Sequence, residues 1–260
     1  MFQKIAYPQS EKFTSHISWS TMDQIIKELF HAAYKKEREV LVRMDENKVI
    51  AFLSNRYIPY DNRDLLSSID IGLFDVAWER DIVDAYVNDY KCLFKVLFPD
   101  HVTEDPDTGY KLTPGLFVSN DETGNGAVHV HCLIYCGKYC FTRIKHISAQ
   151  RMVHTAKYVD AVKAVVKSCE ALPQFIREFI SSIHAAQDHK LGFADVSELY
   201  EYLGKTVVRK DEVKNILSYW DSNHNLWTLA CAISEAGRDC DPLRRTELEK
   251  LATQILVRKY

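Results

Sequence analysis

His129 and His131 lie two residues apart in the run from Ala127 to Tyr135, so an extended strand would carry both imidazoles on one face. There they could meet one metal ion, the use to which neutral imidazole is commonly put. Cys132, Cys136, Cys140 and His146 follow closely. A structural zinc site, however, draws on paired cysteine arms separated by a spacer, and no second arm exists here. Cys132 would also point away from His131. Thiols on a strand are commonly packed in a core. The core reading therefore ranks above metal, with His129, His131, Cys136 and Cys140 as the lesser candidates and no metal assigned.

A second chemistry comes from charge. Between Asp100 and Glu122 the acids Asp100, Glu104, Asp105, Asp107, Asp121 and Glu122 face a single Lys111. The next 37 positions, Thr123 to Val159, hold no acid at all. That window carries Lys138, Arg143, Lys145, Arg151 and Lys157 with Tyr135, Tyr139, Phe141 and Tyr158 interleaved. Cations neutralise phosphates and flat rings stack on bases, which is what an unpaired polynucleotide requires. The bland alternative is a buried sheet that avoids acids. His154 falls among the same cations, which would keep it neutral, and a helix through Arg151, His154 and Tyr158 would place the three on one face.

Other chemistries are excluded by what is missing. There is no G-x-S-x-G nucleophile elbow and no phosphate-binding G-x-x-x-x-G-K-[ST] loop, so ATP-driven helicase or recombinase activity is not expected. Asp105, Asp107, Asp121 and Glu122 could serve a metal-dependent hydrolase, but they sit in apparent loops and read first as solvated turn residues. No catalytic residue and no cofactor is assigned.

The elements that must position these groups can be read from periodicity. Thr21 to Lys36 has the spacing of an amphipathic helix. Val40 to Met44 and Lys48 to Leu53 read as a hairpin turning at Asp45-Glu46-Asn47, and Asp61 can cap a short helix through Leu65 and Leu66. Ile82 to Tyr90, Lys91 to Phe98, Leu112 to Ser119 and Ala127 to Tyr135 are strand-like, with Gly124-Asn125-Gly126 a turn between the last two. Helices then follow: Val159 to Ala171, Pro173 to Ala186, one opened by Asp195 and Glu198 and ended by Gly204, Asp211 to Trp220, Leu226 to Ala236, and Arg244 to Val257. In the last of these Leu248, Leu251, Ile255 and Leu256 form a stripe better suited to a core than to an interface. Strands followed by helices predict an α+β fold, an antiparallel curved β-sheet (residues 1–157) packed with a helical region (158–260), as two units or one continuous domain.

Composition agrees. The chain has 260 residues, 47% hydrophobic, with only 9 Gly and 7 Pro, which excludes a disordered or collagen-like chain. A net charge of -3 argues against binding nucleic acid by bulk charge but allows a local basic groove. Seven cysteines without a signal-like start predict free thiols and a cytoplasmic product, and no apolar run is long enough for a membrane.

Several segments together resemble one family. These are Val42-Arg43-Met44, then Val49 to Tyr57 with Pro59-Tyr60-Asp61-Asn62, Val118 to Gly124, Tyr135-Cys136-Gly137, Arg151 to His154, and Leu226 to Glu235. In order and spacing they are similar to the phage and plasmid family known as domain of unknown function nine-three-two, collinear from about Val40 to Leu256. The resemblance implies a sheet-plus-helix protein of a phage or mobile element, acting near DNA replication or recombination in the manner of single-strand annealing proteins. The expectation is a nucleic-acid-binding protein, for single-stranded DNA more than RNA, ATP-independent and homo-oligomeric. Arg43, Arg56, Lys138, Arg143, Lys145, Arg151 and Lys157 would lie on phosphates, with Tyr57, Tyr139 or Phe141 stacking and His154 beside them. The alternatives are a factor that contacts a host protein through the acidic stretch, and a metal-dependent hydrolase.

Overall fold

The computed structural model describes residues 2–6, 38–43, 48–54, 62–87, 91–121, 128–142, 150–152, 158–193, 196–204, 207–220 and 223–257. Side chains are described within 65–87, 91–121, 128–142, 160–193, 197–204, 207–220 and 223–257. The helix expected at 21–36, the turns at 45–47 and 124–126, and the caps at Asp61 and Asp195 lie outside these residues.

The early hairpin forms as read. Strands β2 (Arg38–Arg43) and β3 (Lys48–Ser54) pair antiparallel, with an irregularity between Leu41 and Val42. Sequence reading missed β1 (Phe2–Ala6), which adds to the other edge of β2 to make a three-stranded sheet. After it comes α1 (Asn62–Asp75), longer than the short helix expected because Leu65, Ile69 and Leu73 continue one buried stripe at four-residue spacing.

The second sheet is built from β4 (Asp81–Val87), β5 (Lys91–Leu97), β6 (Thr103–Glu104), β7 (Lys111–Asp121), β8 (Val128–Cys136), β9 (Tyr139–Thr142) and β10 (Gln150–Met152). Its order is β10-β8-β7-β5-β4, with β6 beside β7 and β9 beside β8, and every pairing is antiparallel. The sheet curls into a half-barrel. Gly115 at its centre has no room for a side chain: a Cβ there would stand 2.2 Å from the Val96 carbonyl oxygen.

Alternation gives the sheet two unlike faces. One carries Phe94, Val96, Leu116, Val118, Val130, Cys132 and Ile134 into the main core. The other carries, in register across the strands, Asp84, Lys95, Phe117 and His131 in one row, and Leu93, Ser119, His129 and Arg151 in the next.

Helices cover both faces. The two helices expected around Pro173 are one, α2 (Tyr158–Asp188), of 31 residues with Pro173 inside it. Val165, Cys169, Leu172, Ile176, Phe179 and Ile183 run as an unbroken buried stripe past the proline, and this burial outweighs the lost backbone bond. It lies on the apolar face, where the Cys132 thiol donates to the Ser168 carbonyl. The chain continues through α3 (Val196–Leu203), α4 (Lys210–Tyr219), α5 (Leu226–Gly237) and α6 (Pro242–Val257). Helix α6 starts two residues earlier than expected. Pro242 needs no partner for an N–H in the first turn, and the Asp241 carboxylate accepts from the backbone N–H groups of Leu243 and Arg244 at 3.1 Å each. Leu248, Leu251, Ile255 and Leu256 are all core residues. That core runs from Leu65 to Leu256 and draws on both sides of residue 157. Among the described residues no helix is long and apolar enough to cross a membrane.

Candidate functional site

The β8–β9 turn and the loop before β7 meet at one end of α5 and leave an open slot of about 300 Å³. Its walls are the rings of Tyr110, Tyr139 and Trp227, with Cys136 behind them. Gly137, at φ 58°, makes the tight turn that brings Tyr139 back beside β8. The Tyr110 and Trp227 centroids are 5.5 Å apart, and the Tyr110 hydroxyl accepts from Trp227 Nε1 at 3.3 Å and Gln187 Nε2 at 3.4 Å. Trp227 in turn stacks on Phe141, so the slot rests on a rigid aromatic core.

The rim is cationic. Lys111 borders the slot, and Lys138 holds its ammonium 5.4 Å from the Tyr139 centroid. Lys138 also pairs with Glu235 at 2.9 Å, but Glu235 is shared with Arg238 at 3.1 Å, so the trio keeps a net positive charge. The Lys138 side chain stays 53% exposed.

Of the expected nucleic-acid residues, Lys138 and Tyr139 come together here. Phe141 does not: it is wholly buried between Trp227 and Phe179 and has no face to offer a base. Arg151 lies in strand β10, not on a helix with His154 and Tyr158. Arg43 and Arg151 are placed by backbone alone, in β2 and β10. Arg56, Tyr57, Arg143, Lys145, His154 and Lys157 lie outside the described residues.

The metal candidates do not converge. His129 and His131 share the polar face with rings 5.5 Å apart and nearly parallel, whereas Cys136 belongs to the core on the opposite face. Cys140 is buried near Glu249, which with burial keeps its thiol far above its ordinary range, and burial pushes Cys136 up to about 11. Neither is a thiolate at neutral pH. Burial, with help from His129, lowers His131 to about 4, so that ring is neutral.

The acidic stretch is also not a plain solvated surface. Asp105 is fully buried and meets His184 Nε2 at 2.8 Å, while Asp107 stands 3.9 Å from the other ring nitrogen. Asp121 pairs with Lys91 at 3.7 Å. The Asp105 carboxylate also accepts from Thr108 and the Asp107 backbone, and its own backbone N–H donates to Tyr110 at 2.9 Å. This turn fixes Tyr110 in the slot and ties it to α2.

Helix α6 lies over the polar face of the sheet. Lys95 reaches Glu249 and Asp84, and Arg245 reaches Asp84 at 3.1 Å. Beyond this pair a cleft of about 390 Å³ opens between β5, β7, β8 and α6, with Lys91, Ser119, His129 and Lys250 among its walls.

Sequence reading missed Tyr110, Trp227, His184 and Lys250. Tyr110 and Trp227 are 117 residues apart and Asp105 and His184 are 79 apart, so local spacing holds no signal for either pair. Set against known proteins, the chain matches no family model, no curated protein and no solved structure.

Proposed function

We propose that this chain binds single-stranded nucleic acid, without ATP, by stacking a base in the slot of Tyr110, Tyr139 and Trp227. The observation that carries the reading is an aromatic cavity of base-accepting size with Lys111 in its lining and the Lys138 ammonium beside the Tyr139 ring. Rings supply sequence-tolerant stacking, and the cations at the rim supply phosphate contacts. Double-stranded nucleic acid is disfavoured because a base stacked and paired in a duplex has no free face to offer the rings. DNA in preference to RNA, an annealing role in a phage or mobile element, and assembly into a homo-oligomer complete the proposal; the sequence resemblance supports them.

Contact with a host protein through the acidic stretch has less support, since Asp105 and Asp121 turn to His184 and Lys91.

The test is fluorescence anisotropy with labelled single- and double-stranded DNA and RNA, run beside a solution mass measurement. Tyr139→Ala should weaken single-strand binding by roughly 5- to 150-fold, the equivalent of ~1–3 kcal/mol of stacking, with the fold intact. Affinity should fall as salt rises. Unchanged binding by Tyr139→Ala, or an affinity flat with salt, would overturn the proposal.

A further inference from the structure

We infer that the cleft between α6 and the polar face of the sheet is a binding site for a phosphate monoester, with Lys250 as its principal charge and Ser119, His129 and Lys91 around it. The cleft, about 390 Å³, falls in the ~300–1,000 Å³ range of small-ligand sites.

Lys250 carries the argument. Its ammonium sits 5.8 Å from the Phe117 ring centroid, and among the described residues no carboxylate forms an ion pair with it. Two nearby acids are engaged elsewhere, Glu247 with Arg244 at 2.5 Å and Glu249 with Lys95 at 2.6 Å, and Asp121 is paired within the cleft to Lys91 at 3.7 Å. The cleft therefore repels an anion far less than its acid count suggests, and it leaves one partly desolvated cation over an aromatic floor. Burial lowers the Lys250 pKa, so the free protein holds that charge at a cost that an incoming anion would relieve.

The surroundings suit a tetrahedral oxyanion. Ser119 and His129 are direct cross-strand partners on the same face, so hydroxyl and imidazole reach the cleft side by side. Behind them His131 keeps a buried Nδ1 without a hydrogen-bond partner. Arg151 is the register partner of His129 on the outer strand, at the edge of the same row. The Lys250 ammonium, the hydroxyl, the imidazole and the ammonium that Lys91 shares with Asp121 offer more donors than a carboxylate's two oxygens can use, and they match a dianion with three terminal oxygens.

The same phosphate could be the terminus of a nucleic-acid strand or part of a small phosphorylated molecule. In the first case the inference extends the proposed function; in the second it stands apart from it.

The experiment titrates the full chain with inorganic phosphate by calorimetry, against chloride at matched ionic strength. Saturable binding is expected, weakened about tenfold or more in Lys250→Met and largely kept in Lys250→Arg. Ser119→Ala, a mild change, should cost several-fold, and circular dichroism checks that each variant is folded. Tyr139→Ala should bind phosphate like the parent whether or not the slot binds a base, which separates failure of one reading from failure of the other. A preference for oligonucleotides with a terminal phosphate over those with a hydroxyl assigns the strand as source, and binding of a sugar phosphate without that preference assigns the small molecule. Phosphate indistinguishable from chloride, or folded Lys250→Met binding as the parent does, would overturn the inference.

Discussion

Lys95 on β5 and Glu249 on α6 face each other with 2.6 Å between Nζ and Oε1, and both side chains are almost wholly enclosed, at 4% and 3% exposed. The pair pins the last helix to the polar face of the sheet. Asp84 on β4 completes it at 3.3 Å from the ammonium, and Arg245 binds the same carboxylate. Taking two charges out of water is expensive, so the pair's net worth is small, but either charge left alone would be severely penalised. Lys95→Met should therefore destabilise the fold by about 3–5 kcal/mol. Lys95→Met combined with Glu249→Leu should recover much of that loss. Urea unfolding of the single and double variants checks it; a double variant as weak as the single would show that α6 is held by something else.

The His184–Asp105 contact makes stability depend on pH in a stated direction. The hydrogen bond to Asp105 holds the His184 pKa above its ordinary value, despite some desolvation, and the charges of Asp105, Asp107 and Asp188 add to it. For Asp105, burial works to raise the pKa, but the bonds from Thr108, His184 and the Asp107 N–H outweigh it and hold the group low. A raised histidine stabilises fully below its unfolded value, about 6.5, and loses that contribution as pH rises through the folded value. A lowered aspartate stabilises above its unfolded value, about 3.9, and loses that contribution as pH falls through the folded one. The parent should therefore show a higher urea midpoint at pH ~6 than at pH ~9, and His184→Gln should flatten the difference. An equal alkaline loss in His184→Gln would assign the effect to another group.

Legibility follows the range of the physics. The strands and most of the helices showed in the chain because alternation and three-four spacing are local, and burial on one face demands them. The β2–β3 hairpin and the α5 stripe from Leu226 to Gly237 are of this kind. The five residues of β1 are too few to show a period, and only pairing with β2 makes them a strand. The site was half legible. Lys138 and Tyr139 stood out by charge and ring content, but the same argument chose Phe141, which shares a face of β9 with Tyr139 and differs only in lying under Trp227 and Phe179, a position along the strand that composition does not encode. Tyr110, Trp227, His184 and Lys250 depend on contacts made only after α2, α5 and α6 close over the sheet.

Pro173 shows a local rule overruled by packing. A proline inside a helix removes one N–H, here the donor that the Cys169 carbonyl would otherwise receive, at a cost of ~3 kcal/mol. The helix nevertheless continues, since Cys169, Leu172, Phe175 and Ile176 on either side are buried and a break would expose them. Pro173 itself faces solvent, so a smaller side chain there opens no cavity. Pro173→Ala should restore the missing bond and raise stability, less about 0.4–1 kcal/mol for the freer unfolded chain. A net gain of about 2–2.6 kcal/mol is expected, read as a higher urea midpoint with an unchanged slope. Amide exchange at residue 173, a position with no N–H in the parent, should be slow in the variant. A neutral or destabilised Pro173→Ala would mean instead that the proline bends α2 to follow the curled sheet, and that the straightened helix loses packing at Cys169 or Phe179.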